Sequence, residues 1–129
     1  MKIYITAPFR DWENKDKIEY LCSIIRQSGF EDYCFVRDEK IFDDEYEMMR
    51  RAKEKIEKCK VLLIDYDWPT HGRMIEIGMA YAMNKKIIVI TKKWTRIKDT
   101  VRGVSDSIIE YKNIEDIIAP MSKLFSKWK

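Results

Sequence analysis

Two short apolar runs, Val61-Leu62-Leu63-Ile64 and Ile87-Ile88-Val89-Ile90, constrain this chain more than anything else in it. Both read as strands, and both are far too short to cross a bilayer. Between them lie a polar stretch, Asp65 to Gly72, and a segment over residues 73–83 with helical character. A strand, a helix and a second strand in that order form a parallel pair joined by a crossover.

The rest of the chain repeats the alternation. Residues 2–6 read as a strand and Ala7-Pro8-Phe9-Arg10 as a turn. Residues 16–28 place Ile18, Leu21, Cys22, Ile24 and Ile25 at helical spacing, and Gly29 stops that helix. Residues 33–37 read as the second strand. Asp43-Asp44-Glu45 opens a helix that runs to Lys58, with its acids in the first turn. The third and fourth strands are predicted over 60–66 and 86–91. A mixed-charge loop follows, then a fifth strand over 107–111. Asn113 opens a last helix that turns Ile117, Ile118, Met121, Leu124 and Phe125 inward.

Such alternation implies a single α/β domain over residues 1–129, flavodoxin-like (Rossmann-like), with a five-stranded parallel sheet in the order 2-1-3-4-5 and helices on both faces. The switch point falls between strands one and three. The loops after those strands bring Phe9, Arg10, Asp67, Thr70, Gly72 and Glu76 towards one crevice. No GxGxxG or GxxxxGK[ST] motif is present, so neither a dinucleotide fingerprint nor a P-loop is supported.

Within that crevice Glu76 stands out. Glutamate is common in the first turns of helices for electrostatic reasons alone. Here Ile75, Ile77 and Met79, with the small residues Gly78, Ala80 and Ala82, predict a helix packed closely on the sheet. A carboxylate in such company is partly desolvated.

Composition limits the alternatives. Lys and Arg number 25 against 22 Asp and Glu, a net charge of +3, too small and too mixed to argue for a nucleic-acid partner. The one histidine, His71, rules out a Ser-His-Asp triad or a multi-histidine metal centre. Cys22, Cys34 and Cys59 form no CxxC pair, which argues against a metal or redox motif, and Cys22 and Cys59 read as core residues. Their odd number, with no signal peptide or membrane span, leads to the expectation of a reducing cytoplasm. No cofactor is expected.

The stretch Ile3-Tyr4-Ile5-Thr6-Ala7-Pro8-Phe9-Arg10 resembles the opening of the nucleoside 2-deoxyribosyltransferase superfamily. Gly72 to Lys86 resembles its signature: a glycine, a catalytic Glu with a glycine soon after it, an Ala-rich helix, and a Lys before strand four. Val101-Arg102-Gly103 through Tyr111 is similar to the branch that hydrolyses 2'-deoxynucleoside 5'-monophosphates. The Pro8-Phe9-Arg10 turn is closer to the branch that hydrolyses cytidine monophosphate.

The resemblance implies roles position by position. Glu76 matches the nucleophile that attacks the anomeric carbon, and Tyr4 a tyrosine that orients it. Phe9 would line the base, Arg10 would contact a 5'-phosphate, and Gly72 belongs to the signature. Thr70 stands where the hydrolases have Ser and the transferases an Asp. An Asp there would repel a phosphate, whereas Thr beside Arg10 would accept one. Lys98 falls roughly where the hydrolases send a phosphate-binding Ser across a dimer interface.

One departure stands out. The leaving-group Asp of the family falls on Ala52, leaving Asp67 or Asp65 as substitutes.

The implied function is an N-glycosidase acting on a nucleoside 5'-monophosphate. A deoxyribosyltransferase, an NAD glycohydrolase-like enzyme and a nucleotide-binding domain with little turnover stand as alternatives. The expected partners are a small nucleotide or nucleoside and a second copy of the chain, with no membrane. Met48, Met49, Met74, Met79, Tyr46 and Tyr81 are expected to supply the dimer contact.

Overall fold

The computed structural model describes residues 1–7, 14–39, 42–66 and 71–129, the His71 side chain excepted. Five parallel strands lie in the order β2-β1-β3-β4-β5: β1 (Lys2–Thr6), β2 (Glu31–Cys34), β3 (Val61–Asp65), β4 (Lys86–Lys92) and β5 (Ser107–Tyr111). The register runs Ile5 to Cys34 and Leu63, Leu63 to Ile88, and Ile90 to Ile109. This is the predicted flavodoxin-like order.

Alternation along the strands divides the core. Ile3, Ile5, Val61, Leu63, Ile88 and Ile90 face α1 (Lys15–Gln27) and α6 (Ile118–Trp128). Tyr4, Leu62, Ile64, Ile87 and Val89 face α3 (Glu45–Lys58) and α4 (His71–Ala82). Each fully buried aliphatic side chain contributes about 1.5–3 kcal/mol relative to exposure. All three cysteines are buried free thiols, so Cys34 joins Cys22 and Cys59 as a core residue.

Three local differences from the sequence-based expectation have physical causes. The second strand ends at Cys34, and Phe35–Asp38 forms a short helical turn, α2. Asp38 accepts the Cys34 amide at 3.0 Å, and Arg37 donates to Asp32 at 2.7 Å, so local side-chain contacts override the strand preference of Phe35 and Val36. The mixed-charge loop contains a helix, α5 (Asp99–Val104), anchored by buried Ile97 and Val101. The last helix is preceded by a 3₁₀ turn, Ile114–Ile117. A capping box between Asn113 and Asp116 sets its start.

Candidate active site

Helix α4 reverses the usual polarity of a surface helix. Its inward positions, Arg73, Glu76, Ile77 and Ala80, follow the i, i+3, i+4, i+7 rule, yet two of the four are charged. Its outward positions include Ile75, 52% exposed, Tyr81, 58% exposed, and the exposed Gly78 and Ala82. The close packing expected of the small residues is met at Ala80, whereas a side chain at Gly78 would find open space.

Arg73 is only 3% exposed. Its Nε donates to Thr6 Oγ1 at 3.1 Å, and its Nη2 to the carbonyls of Thr6 and Asp65. One guanidinium therefore ties the carboxyl ends of β1 and β3 to α4. Its charge also reaches Glu76, where it favours the ionised form.

Glu76 is half-buried, and its Oε2 is shut off from solvent with no hydrogen-bond partner among the described residues. Burial raises its proton affinity above the ordinary carboxylate value, while Tyr4 and Arg73 pull in the opposite direction. Tyr4 rises from the middle of β1 on the same face and is fully buried. Burial, and next the negative Glu76, push its hydroxyl well above the usual phenol range. Tyr4 and Glu76 are thus close enough to perturb each other. Even so, Tyr4 Oη lacks a partner of hydrogen-bonding geometry among the described residues. A carboxylate and a phenol facing each other without a formed bond are costly to bury unless something else completes the site.

Aromatic rings extend outward from Tyr4. Its centroid lies 5.6 Å from Tyr33 and 6.2 Å from Phe35, and Phe35 stacks on Phe42 at 5.4 Å with an interplanar angle of 5°. Phe35 and Phe42 are half-buried, so this row borders solvent beside the carboxylate face.

The other predicted positions are distributed as follows. Phe9, Arg10, Asp67 and Thr70 lie outside the described residues. Gly72 is exposed in the first turn of α4, with open space where a side chain would go. Lys98 is exposed at the residue before α5, and is not among the groups acting on Glu76. Ala52 is buried on the inner face of α3, one turn from Ile56, which packs in the same core cluster as Tyr4. Asp65 takes the opposite face from Glu76. Both of its carboxylate oxygens accept the Tyr111 hydroxyl, at 3.1 and 3.2 Å, which removes it as a leaving-group acid beside Glu76.

Sequence reasoning missed Arg73, Phe35 and Phe42. Arg73 was visible as a cation three residues before Glu76, the spacing of a same-face helical pair. Phe35 and Phe42 had no such signal, because Phe35 was assigned to a strand. Among the described residues no group of three His, Cys, Asp or Glu side chains is placed to hold a metal ion.

The sequence model of the nucleoside 2-deoxyribosyltransferase family matches residues 3–117. The chain belongs to the nucleoside 2-deoxyribosyltransferase family. Solved structures agree in fold. The chain is similar to the CMP N-glycosidase BcmB of Clostridium botulinum, with a TM-score of 0.72 at 23% identity over 96% of this chain and 99% of that one. It is also similar to a conserved protein of Enterococcus faecalis V583, with a TM-score of 0.79 at 18% identity over 96% and 98%. A third similar structure is a 2-deoxyribosyltransferase of Bacillus psychrosaccharolyticus, with a TM-score of 0.72 at 16% identity over 94% and 96%. No curated protein sequence matches the chain.

Proposed function

We propose that this member of the family is an N-glycosidase that cleaves the base–sugar bond of a nucleoside 5'-monophosphate, with Glu76 as nucleophile and water as acceptor. The observation that carries the reading is the inward-facing Glu76 carboxylate, half-buried beside Tyr4 and Arg73 with one oxygen unpartnered. Breaking an N-glycosidic bond leaves an oxocarbenium-like sugar. A Glu76 oxygen attacks the anomeric carbon as the bond's electron pair leaves with the base nitrogen. Water then hydrolyses the glycosyl ester and restores the carboxylate. Arg73 keeps Glu76 ionised against its burial, and Tyr4 aims it.

The stacked, half-buried rings of Phe35 and Phe42 offer an aromatic surface for a base. Arg10 and Thr70 are proposed to receive the 5'-phosphate, with Phe9 and Gly72 beside them and Lys98 reaching in from a neighbouring subunit. With Ala52 in place of an acid, Asp67 is proposed to protonate the departing base. The BcmB enzyme, a CMP N-glycosidase, supports a monophosphate substrate. The Bacillus psychrosaccharolyticus enzyme supports transfer to a second base as the other reading.

We further propose a homodimer. Tyr46 is 81% exposed on α3, and Met48, Ile75 and Tyr81 add exposed apolar surface on α3 and α4. Among the described residues no helix is long and apolar enough to cross a membrane. The buried free thiols suit the reducing cytoplasm that we propose as its location.

The test is to incubate the protein with nucleoside 5'-monophosphates and their parent nucleosides, and to measure free base. Monophosphates are expected to react better. Equal or better release from free nucleosides, or base exchange without net release, would favour the transferase reading.

A further inference from the structure

Helix α1 and strand β2 are joined by two side-chain pairs in matching register. Arg26 donates to Asp32 at 2.7 Å. Because α1 connects the parallel strands β1 and β2, it runs antiparallel to them. Cys22 lies one helical turn before Arg26, and Cys34 lies two strand residues after Asp32. Four helical residues rise about 6.0 Å and two strand residues about 6.6 Å, so a contact at Arg26 and Asp32 also brings Cys22 to Cys34. Both cysteines are fully buried free thiols in the core cluster on the α1 side. The Cys22 thiol acts as a hydrogen-bond donor to the Cys34 sulfur, which holds the Cys34 thiol below its ordinary value against its burial. The backbone amide and the guanidinium of Arg37 also favour the Cys34 thiolate.

We propose that Cys22 and Cys34 form a redox-responsive dithiol that a peroxide closes to an intramolecular disulfide. The Cys34 sulfur attacks one peroxide oxygen and the O–O bond breaks. The departing hydroxide takes the Cys34 proton and leaves as water, so Cys34 becomes a sulfenic acid. The Cys22 sulfur then attacks the Cys34 sulfur, the S–O bond breaks, and the hydroxide takes the Cys22 proton as a second water. The two thiols lose two electrons and the peroxide gains them. A buried thiol is ordinarily inert, but this pair closes under a short edge. Strand β2 has four residues and only β1 beside it, and the four-residue α2 follows. Such an element opens locally at less cost than global unfolding. Phe35 follows Cys34 directly and stacks on Phe42, so the bond moves the root of the aromatic surface assigned to the base. Oxidation should therefore lower base release. That last consequence rests on the proposed function, whereas the disulfide itself does not.

The experiment treats the whole folded chain with hydrogen peroxide, alkylates the remaining thiols in guanidinium, and maps tryptic peptides by mass without reduction. Cleavage after Arg26 separates the two cysteines, so the disulfide joins residues 18–26 to residues 27–37. Cys59, packed on the other face with its thiol pushed up to about 11 by burial, is the internal reference. The linked peptide is expected to form about tenfold or more faster than Cys59 is consumed, and dithiothreitol should reverse it. Cys22→Ser should stop at a Cys34 sulfenic acid that dimedone traps. Cys34→Ser should give neither a link nor a dimedone adduct at Cys22. The proposal is overturned if Cys22 and Cys34 survive peroxide as long as Cys59, if the disulfide joins two chains, or if the link forms only when peroxide meets the unfolded chain. A linked chain that releases base as fast as the reduced one overturns the coupling to the site and leaves the dithiol standing. The peptide readouts need no turnover, so failure of the N-glycosidase reading does not touch them.

Discussion

The two faces of the sheet each bury a carboxylate and a tyrosine, and the pairs are built to opposite ends. On the α1 side the Tyr111 hydroxyl meets both oxygens of Asp65 at 3.1 and 3.2 Å. On the α4 side Tyr4 Oη and Glu76 Oε2 are equally buried, but neither has a hydrogen-bond partner among the described residues. The first couple bridges β5 to β3, and the chemical capacity of its acid is already used. In the second, capacity is held in reserve at a cost in desolvation. Satisfied polar groups in a core are structural by default, whereas unsatisfied ones call for an explanation. A reacting sugar carbon supplies one for Glu76. Arg73, on the same inner face of α4 as Glu76, donates to the Asp65 backbone carbonyl at the end of β3 and acts on Glu76.

The strongest way to break this contrast is to remove Glu76. Glu76→Gln keeps the shape and deletes the nucleophile, so base release should fall by about 10⁴-fold or more, the scale of losing a nucleophile in a covalent mechanism. Circular dichroism and the unfolding transition should show an intact fold. A folded variant with full activity would remove Glu76 from the mechanism and leave its burial unexplained.

The tyrosines provide the next test, because the same deletion should have opposite consequences on the two faces. Tyr111→Phe removes a donor from buried Asp65 and should cost about 1–3 kcal/mol in denaturant unfolding. Tyr4→Phe removes a hydroxyl that only weakly supports the ionised Glu76 in the resting protein, so stability should change by less than about 0.5 kcal/mol. Turnover should nevertheless drop by roughly 10–100-fold, matching about 1.5–3 kcal/mol for a hydrogen bond to a charged group formed during reaction. If Tyr4→Phe destabilises as much as Tyr111→Phe, the two pairs are alike and the contrast fails. A smaller sharpening comes from Phe42→Ala, which should raise KM more than it lowers kcat. Loss of one base-stacking surface corresponds to about 1–3 kcal/mol.

How well each face could be read from the sequence follows the same division. Strand order was legible because Val61–Ile64 and Ile87–Ile90 are continuous apolar runs joined by a helical segment, and such runs admit few topologies. Glu76 was legible as an acid among apolar neighbours. The pairing of Tyr111 with Asp65 was not, because 46 positions separate them and only the β3-β4-β5 register brings them together. The end of β2 was missed because Asp38 and Arg37 fold the chain back through side-chain contacts, which apolar periodicity does not register. Helix α5 was missed because its six residues bury only Val101, leaving no periodic stripe. The inverted polarity of α4 was half legible. Arg73 and Glu76 share its inner face by spacing, yet the exposure of Ile75 depends on where the helix sits against the sheet.

The smallest expected effect is a dependence of stability on pH, and its sign is specific to the unsatisfied face. Burial raises the proton affinity of Glu76 in the folded protein, only partly offset by Tyr4 and Arg73. A carboxyl group that binds its proton more tightly when folded contributes its full stability below the ordinary pKa, about 4.3 for glutamate. That contribution is lost as pH rises through the folded value. Wherever it is ionised, Glu76 therefore opposes folding, and Glu76→Gln should unfold at a higher temperature than the parent chain as pH rises above the folded value. The gain should shrink as pH falls towards about 4, where both chains carry a neutral side chain at this position. Thermal unfolding of the two proteins between pH 4 and 8, in one buffer series, measures it. A gain that does not vary with pH would mean that Glu76 is not held ionised against its burial, and a loss at neutral pH would mean that Arg73 and Tyr4 more than compensate. In the expected outcome one substitution removes activity and adds stability, the signature of a group kept for chemistry rather than for the fold.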